Sequence, residues 1–254
     1  MMKTFALWAL LCLAIGGLAA YQNHAIGLYT PSALEESQGE FNIGHRFYGA
    51  VNEDPIETFF GMNSGTNANV SYRHHLPLDL EAKLGYTSSG NQYELGVAWL
   101  LPFQILSIQT QADASLSWLD RPGSNDRTTD IGVCVSAQNE PLFNRLAFTV
   151  NAGYNTLYER IALGLGVNLK LLEKVSLLGE YYPLLDTAQG SQEAQALIGS
   201  HPTFSFGVKL DTYNHNFIFS LGNADNLSPG RLALGSYNKS DLHFGFNIKR
   251  RLSF

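Results

Sequence analysis

The chain has two cysteines, no long apolar run beyond its first twenty residues, and few charges, 16 Lys and Arg against 22 Asp and Glu in 254 residues. Each shortage excludes something. Cys12 lies in an opening stretch expected to be cleaved, which leaves Cys134 alone. One cysteine cannot build a disulfide framework or a zinc site of paired cysteines. The longest later apolar candidate, "IALGLGVNLKLL" (161–172), is broken by Asn168 and Lys170. It falls short of the ~20 residues a spanning helix needs. A net charge of -6 with no basic block argues against nucleic acid as a partner. Helical periodicity is also missing throughout the chain.

The opening "MMKTFALWALLCLAIGGLAA" is a different matter. Lys3, an apolar core from Thr4 to Ile15 and the small residues Gly17 and Ala19 read as a secretory signal peptide over residues 1–19. Its core is too short for a membrane anchor. Residues 20–39 are then expected to be a short periplasmic N-terminal segment, with residues 40–254 as one domain.

That domain alternates. Residues 40–51 carry Phe41, Ile43, Phe47 and Val51 on one face, with Asn42, Arg46 and Tyr48 on the other. Residues 79–87 set Leu80, Ala82, Leu84 and Tyr86 against Glu81, Lys83 and Gly85. The same period of two returns over 66–72, 93–101, 107–118, 130–137, 145–155, 160–171, 175–182, 203–211, 216–221 and the terminal run. Twelve strands result. Connections after even-numbered strands, such as "LEK" and "TYNH", are short, and most of those after odd-numbered strands are long. This is the layout of an up-and-down outer-membrane β-barrel, which places both termini on the periplasmic side.

The polar face decides which way the apolar face points. It is rich in Gly, Ala, Ser, Asn and Gln, with separated charges at Arg46, Glu81, Lys83, Glu94, Asp113, Lys170, Glu180 and Lys209. An all-β domain in water would put its apolar face inside. Here the polar face suits a lumen and the apolar face suits lipid, where a closed sheet satisfies every backbone group. Tyr72, Tyr86, Tyr93, Trp118, Tyr154 and Tyr181 fall near strand ends, where interfacial aromatic girdles are expected.

The final run, with Gly245, Phe246, Ile248, Leu252 and Phe254, resembles the C-terminal assembly signal of Gram-negative outer-membrane barrels. Arg250 falls on its lipid face, where a long side chain can snorkel to the interface. The stretches "FNIGHRF" (41–47), "FFGMNSGTNANVSY" (59–72) and "LPLDLEAKLGYTSSGNQYELGVAWLL" (76–101) resemble an uncharacterised family of outer-membrane β-barrels, catalogued as a domain of unknown function. Met62-Asn63 stands where that family usually has an aspartate. The resemblance implies a barrel and a location, and no substrate.

Catalytic chemistry finds little support. His45 sits on the lipid face of the first strand, and its expected neighbours Ala68, Val70, Phe244 and Phe246 include no nucleophile. His74 and His75 are expected in a solvated turn. His201 and Asp186 could meet in the long fifth loop, but nothing in the sequence fixes their geometry, and Asn223, Asp225 and Asn226 lack the glycine and glutamate that a calcium loop needs at its spacing. "NVS" (69–71) falls within a strand of a bacterial protein, so it is not a glycosylation acceptor.

The expectation is therefore a non-enzymatic barrel without cofactor or metal, whose partners are outer-membrane lipids, the barrel assembly machinery and small solutes. Gly132, Gly164, Gly166 and Gly207 on facing positions favour an open lumen, hence a narrow polar passive channel. Glu81 and Lys83, and Glu94 beside Lys83, are the expected lumen pairs. The alternative is a closed structural, adhesive or receptor barrel acting through its long extracellular loops. An outer-membrane hydrolase is the least favoured reading.

Overall fold

A computed structural model describes residues 25–32, 34–102, 107–120, 126–185, 199–225, 234–237 and 239–254. The expected signal peptide, Asp186 and Asn226 lie outside these residues. The described chain forms β1 (Gln38–Ala50), β2 (Thr66–Leu76), β3 (Leu80–Thr87), β4 (Gln92–Leu100), β5 (Ile108–Asp120) and β6 (Arg127–Asn139). It continues with β7 (Leu146–Asn155), β8 (Arg160–Leu172), β9 (Val175–Tyr182), β10 (Thr203–Asp211), β11 (His215–Gly222) and β12 (His243–Ser253). Every strand pairs antiparallel with its sequence neighbours, and β12 pairs with β1 to close the barrel.

Twelve strands were expected and twelve are present, with one extension worth noting. His74 and His75 belong to β2, which runs on to Leu76 and pairs along its last turn with β3 from Leu80. A polar His-His pair hides the alternation there, but cross-strand pairing sets the strand's length. The extension places Arg73 on the inner wall, and Arg73 is buried.

Burial is inverted relative to a protein in water. Leu95, Val97, Val133, Val135, Phe148, Ile161 and Phe206 stand exposed on the outer surface, while Gln111, Ser136, Asn151, Glu180 and Asn216 are buried inside. A band of exposed aliphatic side chains around a whole sheet is untenable in water and natural in hydrocarbon. Tyr93, Trp118, Tyr154 and Tyr181 are among the exposed aromatics of the outer wall. Tyr86 and Tyr93 face each other across β3 and β4 with ring centroids 5.1 Å apart.

The C-terminal strand divides its roles by face. Phe246 and Ile248 point outward, opposite His45 and Ile43 of β1. Gly245 faces inward, and a Cβ there would collide with the Arg46 side chain. Phe254 follows the strand, donates its backbone N–H to Ser37 O at 2.9 Å and is 75% exposed. His45 stacks on Phe246 at 4.7 Å and pairs across β2 with Ala68. Its Nδ1 is buried without a partner among the described residues, so stacking on Phe246 holds this ring.

Candidate functional site: a lumen divided by the N-terminal segment

The largest difference from the sequence reading lies inside the barrel. Residues 25–32 and 34–37, expected to sit in the periplasm ahead of the domain, run through the lumen before turning at Glu35–Gln38 into β1. Ile26, Leu28 and Leu34 are 4%, 2% and 1% exposed, which makes them some of the most buried side chains described. Three aliphatic groups leaving water contribute roughly 1.5–3 kcal/mol each.

A closed barrel offers the entering backbone no free strand edge. Polar side chains of the inner wall take the place of a β-ladder. Glu180 accepts the N–H groups of Gly27 at 2.9 Å and Leu28 at 3.2 Å. Asn151 brackets Tyr29 as a peptide would, accepting its N–H at 2.8 Å and donating to its carbonyl at 2.7 Å. Gln111 accepts from Ser32 N at 3.2 Å, and Glu81 accepts from Leu34 N at 2.8 Å. Arg46 and Asn247 both donate to Ile26 O, at 3.3 and 3.0 Å. Buried backbone groups need such partners, and here the sequence supplies them from six strands.

Glycines make the room. A Cβ at Gly166 would sit 2.5 Å from Leu28 Cδ1, and one at Gly164 would be closer still. Gly207 meets Ile26, with its Cβ position 3.1 Å from Cδ1. The small residues expected to hold the lumen open are in three of four cases the seat of the inserted segment. Gly132 lines one of the remaining spaces.

Two chambers flank the segment. One is lined by Glu94, Asp113, Asp130, Gly132, Asn155 and Tyr158 among others. The other lies against β12, β1, β2 and β3. Tyr29 forms part of both walls, and Lys83 Nζ stands 4.6 Å above its ring. That placement is a cation–π contact in a largely desolvated setting.

All eight charges expected to line the lumen sit on the strands' inward faces, though the pairs differ from those anticipated. Lys83 contacts Asp113 of β5, not Glu94 or Glu81. Glu81 pairs with Arg73, which also holds Glu40, at 2.9 and 3.1 Å. Asp113 further accepts two bonds from Gln111. Lys209 pairs with Asp211 at 3.1 Å, and Lys170 lines a space at the short-turn end with Arg145 and Lys174. Among the described residues no carboxylate bonds to Arg46, although Glu180 lies within its electrostatic reach: its bonds go to His45 O, Phe246 O, Asn247 Oδ1 and Ile26 O.

Sequence reasoning missed Glu40, Arg73, Asp130, Asn151, Asn247 and Lys249 as inner-wall groups. Their inward parity was readable from the strand register. Asp130 accepts bonds from Asn155, Thr156 and Leu157, thereby fixing the tight turn between β7 and β8.

Among solved structures, the KdgM porin aligns over 85% of this chain and 99% of its own, at 9% identity and a TM-score of 0.52. The NanC porin gives the same coverage and identity with a TM-score of 0.51. The outer membrane phospholipase A from Escherichia coli covers 90% of this chain and 94% of its own, at 11% identity and a TM-score of 0.44. These likenesses concern the fold alone. Among curated proteins, none matches this chain in sequence. The family model of a membrane bound beta barrel domain (DUF5777) matches residues 134–252. The match therefore falls on β6 to β12, away from the stretch at 40–101 on which the likeness had been read. Over those residues the chain is similar to that domain, and the structure closes a barrel of twelve strands among the described residues.

Proposed function

We propose that this protein is a passive channel of the bacterial outer membrane for small polar solutes, narrowed by its own N-terminal segment. It is exported by its signal peptide, with short turns and termini toward the periplasm and longer loops outward. One observation carries the reading: space remains on both sides of the inserted segment, and polar or charged side chains line it. Polar walls around a space bounded by lipid-facing strands are what small hydrated solutes require. Two structural neighbours bear the name porin, which supports the same direction.

The test is single-channel recording from the refolded mature chain in planar bilayers. A small, steady ohmic current is expected. Absence of current from folded, inserted protein would overturn the channel and favour a barrel acting through its loops. That second reading has its own observation in Ile56, Phe59 and Phe60, exposed in the connection between β1 and β2. Hydrolysis at His45 has no such support, because the side chains paired with it across both strands are Ala68 and Phe246.

A further inference from the structure

Charged side chains are not spread evenly along the lumen. The chamber lined by Glu94, Asp113, Asp130 and Lys83 sits toward the long loops: Glu94 is the third residue of β4, Asp130 the fourth of β6, and Asn155 the last of β7. Three carboxylates stand against one cation on its wall among the described residues. A separate recess opens at the short-turn end, where Lys170 and Lys209, two residues from the ends of β8 and β10, flank Ser176 of β9. Arg145, Lys170, Lys174 and Lys209 line it against Glu173 and Asp211, four cations to two carboxylates among the described residues.

Pairing within each group does not cancel the excess. In the long-loop chamber Lys83 is taken by Asp113, and Asp130 is held by the neutral donors Asn155 Nδ2, Thr156 Oγ1 and Leu157 N. Glu94 has Lys83 within electrostatic reach and no cation bonded to it among the described residues. In the short-turn recess Lys209 binds Asp211 at 3.1 Å. Arg145, Lys170 and Lys174 have no ion pair and no side-chain hydrogen bond among the described residues. Glu35 and Glu36 lie at the same end, where the inserted segment turns into β1, and neither they nor Glu140 line the recess. The remaining chamber, with Arg73, Lys83 and Lys249 against Glu40 and Glu94, is close to balance. The charge on the wall therefore changes sign from one end of the lumen to the other.

We propose that the lumen separates mobile ions by charge along its length: the long-loop chamber gathers small cations, and the short-turn recess gathers small anions. Fixed charges on a low-dielectric wall raise the local concentration of counter-ions, and a lumen enclosed by lipid-facing strands is such a setting. Tyr29, Tyr158 and Tyr182 also line the chamber, and aromatic rings attract cations, as Lys83 above the Tyr29 ring illustrates. The consequence for transport, which rests on the channel reading, is that a crossing ion meets both zones in turn. Salt weakens both zones, because the screening length falls from ~10 Å at 0.1 M to ~3 Å at 1 M.

Cys134 gives the long-loop chamber a native reporter. It lies on the chamber wall and is the one cysteine outside the expected signal peptide. The experiment measures how fast trimethylammonium-ethyl methanethiosulfonate, a cation, and sulfonatoethyl methanethiosulfonate, an anion, modify this thiol in the refolded mature chain in uncharged detergent. The ratio of the two rates is divided by the ratio for a free thiol in solution. At Cys134 the cation is expected to be favoured about tenfold or more at low salt. The preference should fade at about 1 M salt. Cys134→Ser combined with Asn168→Cys moves the reporter to the short-turn recess, where the anion is expected to be favoured about tenfold or more. Glu94→Gln and Lys170→Gln should each draw the ratio of their own zone back toward that of the free thiol.

Retained β-sheet circular dichroism and heat-modifiable gel mobility confirm that each variant is folded. Should Asn168→Cys fail to fold, Ser176→Cys on the same wall takes its place. The proposal is overturned by low-salt ratios equal to that of the free thiol at both positions, by ratios shifted in the same direction at both, or by a folded chain in which neither reagent reaches Cys134. No voltage is applied in this measurement. A barrel that is silent in bilayer recording therefore refutes the channel while opposite preferences at the two ends still stand, and equal ratios in a conducting barrel refute the charge separation alone.

Discussion

Two arcs of the inner wall treat charge in opposite ways. From β1 to β5 the side chains answer one another: Arg73 is clasped by Glu40 and Glu81, and Lys83 rests on Asp113. From β11 through β12 to the middle of β1, Lys249 has no ion-pair partner among the described residues and Arg46 bonds to neutral oxygens. The first arc is cross-linked and serves the barrel. The second has bonding capacity left over, and a lumen can place that at the disposal of a solute.

Mutation should expose this contrast, starting with its largest effect. Arg73→Ala strands two buried carboxylates and is expected to cost about 3–5 kcal/mol in urea unfolding from detergent micelles. A loss below ~1 kcal/mol would remove the distinction between the arcs. Glu180→Ala takes the acceptor from Gly27 and Leu28, a penalty of ~1–3 kcal/mol borne by the inserted segment. Hydrogen exchange at those two amides should accelerate roughly tenfold or more while strand amides hold.

Lys249→Met is expected to behave in the reverse sense, leaving stability unchanged or raising it by up to about 1 kcal/mol, since an unanswered buried charge gives way to an apolar chain of similar length. A marked loss would mean that the protein itself satisfies this ammonium. Arg127→Ala should change unfolding by no more than ~0.5 kcal/mol. Its Asp120 contact spans 3.6 Å on an open surface, where ion pairs contribute little.

The wall of the barrel was legible in the sequence because alternation is local. Phe41, Ile43 and His45 need no distant partner to declare one face, and the lengths of the connections supply the order of strands. Where a polar pair interrupts the pattern, as at His74-His75, the strand end was misplaced and Arg73 went unnoticed. The occupant of the lumen was illegible for a different reason. "AIGLYTPSALEES" (25–37) contains Pro31, and its described residues form no strand and make their bonds to side chains scattered across the chain.

One signal was present and pointed two ways. Gly164, Gly166 and Gly207 announce missing volume on the inner wall, which suits a hole and suits a seat equally well. Ile26, Leu28 and Leu34 break the tie, since three aliphatic residues just ahead of a barrel need somewhere to be buried. Charge pairing was hidden likewise, because Lys83 reaches past β4 to Asp113, and side-chain reach across strands is not written in the spacing of either strand.

The most direct measurement compares single-channel conductance of the native mature chain with that of a chain lacking residues 25–34. The native barrel should pass a small steady current, and the shortened one, verified as folded, a current several times larger. Equal currents from the two would contradict a lumen narrowed by its own N-terminal segment, and silence from both would contradict the channel.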